Sequence, residues 1–203
     1  MAYADTNLTI EQVEHLITRI DEFNVRQHIV VPNVSWGFLN HEADLLVLSR
    51  DNYLTEIEIK RAWQDFKKDF TKDHTHEDPR LTYFYYAVPE KIVPAVKQVL
   101  YKTEPYKDWH GMTKEKVVGY TDKNPNHCGL IVYGELRGYD HVDEKSLDYY
   151  YARIEVPAER LKGEKVEFKD KMQLMRLGLM RVWKAKEKIA SLQAELQGSI
   201  LRF

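Results

Sequence analysis

The chain is poor in cysteine: Cys128 is the only one among 203 residues, so no disulfide framework can hold the fold. A reducing compartment is the simpler expectation, and with it a cytoplasmic protein. No apolar run approaches the roughly 20 residues that span a bilayer, so no membrane partner is expected. Met1 to Ile10 lacks a basic stretch followed by an apolar one, the signature of a secretory signal. There is no Walker-type loop and no dinucleotide fingerprint, which argues against ATP- or NAD-driven chemistry. A global excess of positive charge is also missing: the formal net charge is −2, so any nucleic-acid contact must come from a local patch. What is present is 43% hydrophobic residues, enough for a real core, and 13 tyrosines, which fill strands more often than they stack on bases.

The pattern of apolar positions gives an alternating order of elements. Ile10, Val13, Leu16, Ile17 and Ile20 fall at helical spacing within Thr9 to Phe23, with Thr9 and Gln12 placed for a capping box. Gln27 to Val31 is expected as a short strand stopped by Pro32. Ala43 to Leu48 and Tyr53 to Lys60 are expected as strands, with turn residues Arg50, Asp51 and Asn52 between them. Arg61 to Lys72 predicts a helix with Trp63, Phe66 and Phe70 on one side, and Leu81 to Val88 predicts a strand. Ile92 to Tyr101 predicts a helix, with Pro94 in its first turn. The polar segment from Thr103 to Asn126 is expected to be an insertion or long loop, and 103–171 as a whole an elaboration or insertion, with strands at Gly129 to Tyr133 and Tyr150 to Val156. A long C-terminal helix is expected over 170–197, with Leu174, Leu177, Met180, Val182 and Trp183 on its apolar side as core or as the seam of a homodimer. The expected fold is a single α/β domain over 1–203, a mixed central sheet flanked by helices.

The hairpin carries the chemistry. Side chains alternate along a strand, so Glu56, Glu58 and Lys60 share one face, while Ile57 and Ile59 mark the other as apolar. Glu42, Asp44 and Leu46 share a face of the preceding strand. A three-residue loop over Arg50 to Asn52, with Asn52 left-handed, sets Asp44 opposite Glu58 and Glu42 opposite Lys60. A two-residue loop would put the two acids on opposite faces. Opposed carboxylates repel, and a sheet avoids such pairs unless a cation joins them. Oxygen ligands of this kind suit Mg²⁺ or Mn²⁺. Lys60 would then orient or deprotonate water, or stabilise charge on a phosphate.

The order Asp44, then Glu58-Ile59-Lys60 across a hairpin, with helices before and after, resembles the PD-(D/E)XK nuclease superfamily. The run VPNVSWGFLNHEADLLVLSRDNYLTEIEIKRAWQDFKKDFTKDHTHEDPRLTYFYYAVPE, Val31 to Glu90, is similar to its MmcB-like DNA-repair branch, as is MRLGLMRVWKAKEK near the C-terminus. Thr103 to Lys171 resembles nothing in that group. The resemblance implies a restriction-endonuclease-like fold, DNA as partner, and Mg²⁺- or Mn²⁺-dependent phosphodiester hydrolysis in repair, recombination or mobile-element biology. It implies Asp44, Glu58 and the backbone carbonyl of Ile59 as metal ligands and Lys60 as the catalytic lysine. An acid from the first helix would be Glu11 or Glu14, of which Glu11 is favoured because Glu14 lies near the apolar stripe. The proline that precedes the first acid in the superfamily is replaced here by Ala43.

Other residues admit plainer readings beside the sharp ones. Glu56 is either a second-metal ligand or a solvated face residue, the latter favoured. His41 is either a contact to phosphate or water or polar loop surface, the latter favoured. His74, His76 and Asp78 suggest zinc, but a charged loop explains them more simply. Lys67, Lys68 and Lys72 would follow a DNA backbone, or pair with Asp65, Asp69 and Asp73 on a solvent face. Trp36, Trp63 and Cys128 are expected as packing residues. The alternative to a nuclease is a catalytically weak or inactive module that binds DNA or repair partners, and a third possibility is a structural protein that oligomerises through its last helix.

Overall fold

The computed structural model describes residues 5–34, 37–70, 76, 78–124, 126–140 and 145–200. Its centre is a mixed six-stranded sheet in the order β1-β2-β3-β4-β7-β8. β1 (Ile29–Val34), β2 (Ala43–Leu48) and β3 (Leu54–Ile59) form an antiparallel meander. β4 (Leu81–Pro89) runs parallel to β3, and β7 (Gly129–Asp140) parallel to β4, which requires crossovers. Helix α2 (Trp63–Asp69) makes the first crossover, and α3 (Val93–Leu100) with the hairpin β5 (Tyr101–Lys107) and β6 (Thr113–Tyr120) makes the second. β8 (Lys145–Val156) closes the sheet antiparallel to β7.

Two apolar layers sandwich the sheet. Odd-numbered residues of the central strands, among them Leu45, Val47, Ile57, Ile59 and Tyr85, pack under α1 (Ile10–Ile17) with its Val13, Leu16 and Ile17. Even-numbered residues face the other way. Phe84, Tyr86 and Val88 meet Phe66 of α2 and Val96 and Leu100 of α3. Leu46, Leu48 and Leu54 meet Leu174 of α4 (Phe168–Ile200).

Several expectations change in detail. α1 ends at Ile17, where Thr18 caps it, and only a 3-10 turn, Asp21–Phe23, continues; the Thr9–Gln12 capping box forms. β1 runs through Pro32 to Val34, which an edge strand tolerates because the missing N–H faces no second neighbour. The segment 103–171 contributes to two sheets. β7 and β8 complete the main sheet, and the polar stretch before them folds as a separate two-stranded ribbon, β5–β6. On α4, Leu174 is buried and Leu177 partly so, but Met180, Val182 and Trp183 are exposed, so the expected apolar side is split. Among the described residues no helix is long and apolar enough to cross a membrane. Trp36, Lys72, Asp73 and His74 lie outside the described residues.

The segment between β8 and α4 straps the sheet. Leu161 N–H donates to Thr82 O at 2.8 Å, Glu164 N–H to Pro79 O at 2.9 Å and Val166 N–H to Asn52 O at 2.8 Å. A Cβ on Gly163 would lie 2.0 Å from the Leu81 carbonyl oxygen, so only glycine permits this approach.

The β2–β3 register is the one a three-residue loop dictates. Leu45 faces Ile57, Leu46 faces Glu56 and Leu48 faces Leu54. Ser49 N–H donates to Tyr53 O at 2.9 Å, and Asn52 takes φ +64°. Asn52 also accepts from Lys171 Nζ at 3.3 Å. Asn52→Ala should therefore destabilise the protein by roughly 1–2 kcal/mol, and Asn52→Gly by less, in urea unfolding.

Candidate functional site

At the end of the β2–β3 ladder the side chains take over from the backbone. One residue beyond the Leu45–Ile57 pair, Asp44 stands opposite Glu58. Ile59 N–H donates to Asp44 Oδ2 at 2.8 Å, and Asp44 N–H donates to Glu58 Oε1 at 3.4 Å. Two carboxylates thus replace the next rung of backbone hydrogen bonds. The cost of their proximity is visible at Asp44, whose pKa rises to about 6, first through burial and then through the charge of Glu58. Asp44 lines a cleft of about 240 Å³ together with Asn33, Val34, Glu42, Ala43 and Arg181.

Lys60 does not pair with Glu42, which is exposed. It turns inward, 3% exposed, and donates to Glu58 Oε2 at 2.8 Å and to Asp69 Oδ1 at 2.9 Å. Burial would lower its pKa, but the charges of Glu58 and Asp69 outweigh burial and raise it. Asp69, in the last turn of α2, is buried; it accepts from the Tyr86 hydroxyl at 2.7 Å and faces His76 Nε2 at 3.1 Å. His76 Nδ1 meets Glu56 Oε1 at 2.7 Å, and the ring stacks on Phe84 with centroids 4.3 Å apart. His41 Nε2 meets Glu56 Oε2 at 2.8 Å. One chain of contacts therefore runs His41–Glu56–His76–Asp69–Lys60–Glu58, along the even-numbered face of the sheet.

This arrangement corrects five expectations. Glu56 is not a solvated face residue: its exposure is 0%, and its two histidine partners hold its pKa down against the upward push of burial. His41 is not loop surface but a buried partner of Glu56. Asp69 does not join a solvent-facing ladder with Lys67 and Lys68, which are exposed while it is buried. Of the loop residues His76 enters the network, and Asp78 instead holds Arg80, at 2.8 Å. Among the first-helix acids, Glu14 rather than Glu11 feels the site. Its pKa rises to about 7 through burial and then the charges of Glu11 and Asp44, whereas Glu11 is exposed. Lys67 sits over the Trp63 ring, 5.7 Å from its centroid.

Asp69 carried a signal that could have been read. It lies three residues after Phe66, on the buried side of a helix whose next turn puts Phe70 near the same stripe, and an acid there needs a partner. His76 carried none, because its position depends on where the chain crosses from α2 to β4.

The oxygen donors suit a hard divalent ion. Asp44 uses Oδ2 for Ile59 and keeps Oδ1, and Glu58 opposes it. The N–H and C=O of a strand residue leave on the same side, so the Ile59 carbonyl points toward β2, as its N–H does. Asp44, Glu58 and the Ile59 carbonyl are the oxygen groups that would hold such an ion.

No family model and no curated protein matches the chain. A solved structure of a protein of unknown function from Silicibacter pomeroyi superposes with a TM-score of 0.51 at 13% identity, covering 92% of this chain and 95% of that one. The likeness is one of fold.

Two outcomes follow. Asp69→Ala leaves Lys60 with one carboxylate and the Tyr86 hydroxyl without its acceptor, and should cost about 3–5 kcal/mol in urea unfolding, with Asp69→Asn costing less. His76 sets a pH dependence. Burial disfavours its charged form, but hydrogen bonds to Asp69 and Glu56 outweigh burial and raise its pKa to about 9. The folded value exceeds the unfolded one, about 6.5, so its contribution is complete below that pH and is lost as pH rises through about 9. In chelator, Tm should fall by roughly 5 °C or more between pH 6.5 and 9.5, and His76→Gln should flatten that slope.

Proposed function

We propose that the protein hydrolyses DNA phosphodiesters with Mg²⁺ or Mn²⁺ held by Asp44, Glu58 and the Ile59 carbonyl, on a restriction-endonuclease-like variant of the mixed α/β fold. The observation that carries this reading is the meeting of Asp44 and Glu58 at the splayed end of the hairpin, with Asp44 pushed up to about 6. Buried carboxylates in this state gain most from a divalent cation. The likeness of Val31 to Glu90 to the PD-(D/E)XK nucleases, MmcB-like branch, points the same way.

The bound ion supplies Lewis acidity toward a phosphoryl oxygen and lowers the pKa of water. The chain's own residues do the rest. Ile59 N–H orients the Asp44 carboxylate, and Lys60 orients that of Glu58. Lys60, held protonated by two carboxylates, is a fixed positive charge and not a proton acceptor. Arg181, on the wall of the same cleft, is the cation best placed to meet a phosphate of the DNA. Lys67 and Lys68 on α2 are exposed and would add further positive charge for DNA.

One observation favours the alternative, a binding module with little or no catalysis. Both carboxylates around Lys60 are engaged and its ammonium is turned away from solvent. A single assay separates the two. Single-stranded, duplex and branched DNA are incubated with the protein and Mn²⁺, with and without chelator, beside Asp44→Asn, which keeps the half-buried position filled. Cleavage should require Mn²⁺ and fall by roughly 100-fold or more in the variant. DNA binding without cleavage selects the module, and cleavage undiminished in Asp44→Asn overturns the site.

A further inference from the structure

We propose that His41, Glu56 and His76 form a separate transition-metal site, for Zn²⁺ or a divalent ion of similar preference for imidazole nitrogen. The three residues come from the β1–β2 connection, from β3 and from the segment before β4, and their ligand atoms lie within 4.8 Å of one another. His41 Nε2 is 2.8 Å from Glu56 Oε2, and His76 Nδ1 is 2.7 Å from Glu56 Oε1. Ligands about 2.0–2.1 Å from a tetrahedral zinc stand about 3.3 Å apart, so the site needs to widen only by roughly half an ångström.

The second shell argues for a metal more strongly than the distances. His41 Nδ1 lies 2.6 Å from Asn40 Oδ1, and His76 Nε2 lies 3.1 Å from Asp69 Oδ2. Each ring thus sets the nitrogen away from Glu56 against an oxygen, to which an N–H there donates when the inner nitrogen binds a metal. This is how metal-binding histidines are held: the outer N–H donates to an oxygen, and the inner nitrogen is left as a lone pair aimed at the ion. With the outer protons so placed, the inner nitrogens face the Glu56 carboxylate across a gap that requires positive charge.

A competing triplet, Glu58, Asp69 and His76, is also compact. Lys60 already lies between Glu58 and Asp69, at 2.8 and 2.9 Å, and its ammonium excludes a cation there. Among the described residues the ion pairs of Glu56 are with histidines, not with an ammonium. The donor sets also sort by metal: imidazoles with a carboxylate suit zinc-like ions, whereas the all-oxygen pair Asp44–Glu58 suits Mg²⁺ or Mn²⁺. Three protein ligands leave the fourth position to water, reached from the side of His76, which keeps some exposure. The proposal does not rest on the nuclease reading, because none of its ligands belongs to that site.

The test uses the full chain stripped with chelator and titrated with Co²⁺, then with Zn²⁺ in competition. One equivalent of Co²⁺ should produce visible d–d absorption that Zn²⁺ abolishes, and Zn²⁺ should raise Tm. His41→Ala, His76→Ala and Glu56→Gln should each weaken Co²⁺ binding by roughly 100-fold or more. Asn40→Ala keeps all three ligands and should weaken it by roughly tenfold. Asp44→Asn should leave it unchanged. Far-UV circular dichroism establishes that each variant is folded, and Asn40→Ala together with Asp44→Asn decides the matter should a ligand variant fail to fold. Failure of the wild type to bind Co²⁺ overturns the proposal. So does a spectrum that survives in folded histidine variants, or one lost in Asp44→Asn and kept in Asn40→Ala, which would place the metal at the oxygen site.

Discussion

The ammonium of Lys60, buried between Glu58 and Asp69, is the contact on which the rest of the network depends. It joins the last turn of α2 to the end of β3. It also offsets two of the three carboxylates, Glu56, Glu58 and Asp69, that this face of the sheet conceals. Concealed charge of that density is stable only when every member has a partner, because the low dielectric that strengthens each pair also magnifies the cost of an orphan. Here each does: Tyr86 adds a donor to Asp69, and the two histidines bracket Glu56. Replacing such a network with apolar side chains would cost little stability, so its presence points to a use beyond holding the fold.

The sheet divides its two faces between these tasks. Leu45, Val47, Ile57, Ile59, Tyr85 and Ala87, residues of odd number in β2, β3 and β4, make an apolar layer under α1. Residues of even number begin apolar at Leu46, Leu48 and Leu54 and turn polar at Glu56, Glu58 and Lys60. The change begins at Glu56, still paired with Leu46, and is complete one rung past the Leu45–Ile57 pair, where side-chain oxygens replace carbonyls as acceptors. Rigid strands thereby fix the carboxylates, because β3 stays in register with β4 here, Glu56 beside Phe84 and Glu58 beside Tyr86.

How much of this was legible differs from element to element. β2 and β3 could be placed almost to the residue, because apolar alternation and a turn with a left-handed asparagine leave one register open. With that register the meeting of Asp44 and Glu58 was within reach. The β5–β6 ribbon was not, since its strands are mostly exposed and polar and carry little of the periodicity that marks a strand packed on a core. Glu56 was misjudged for a related reason. A glutamate in a Glu-x-Glu-x-Lys run reads as solvent-facing, and only the arrival of His41 and His76 from distant loops makes its burial tolerable. Local pattern reports which face a residue occupies and says little about what later chain will cover it.

Every side chain of the network lies between Asn40 and Tyr86, from the β1–β2 connection to β4. This compactness along the chain has a kinetic meaning. The loops that must close to bring these groups together are short, so assembling them sacrifices little chain entropy, and contacts of this kind tend to form early. During synthesis the whole set leaves the ribosome before β7, β8 and α4, the elements that later pair with β4 and pack against the sheet. The strap through Gly163 then closes over strands whose charged groups have already found one another.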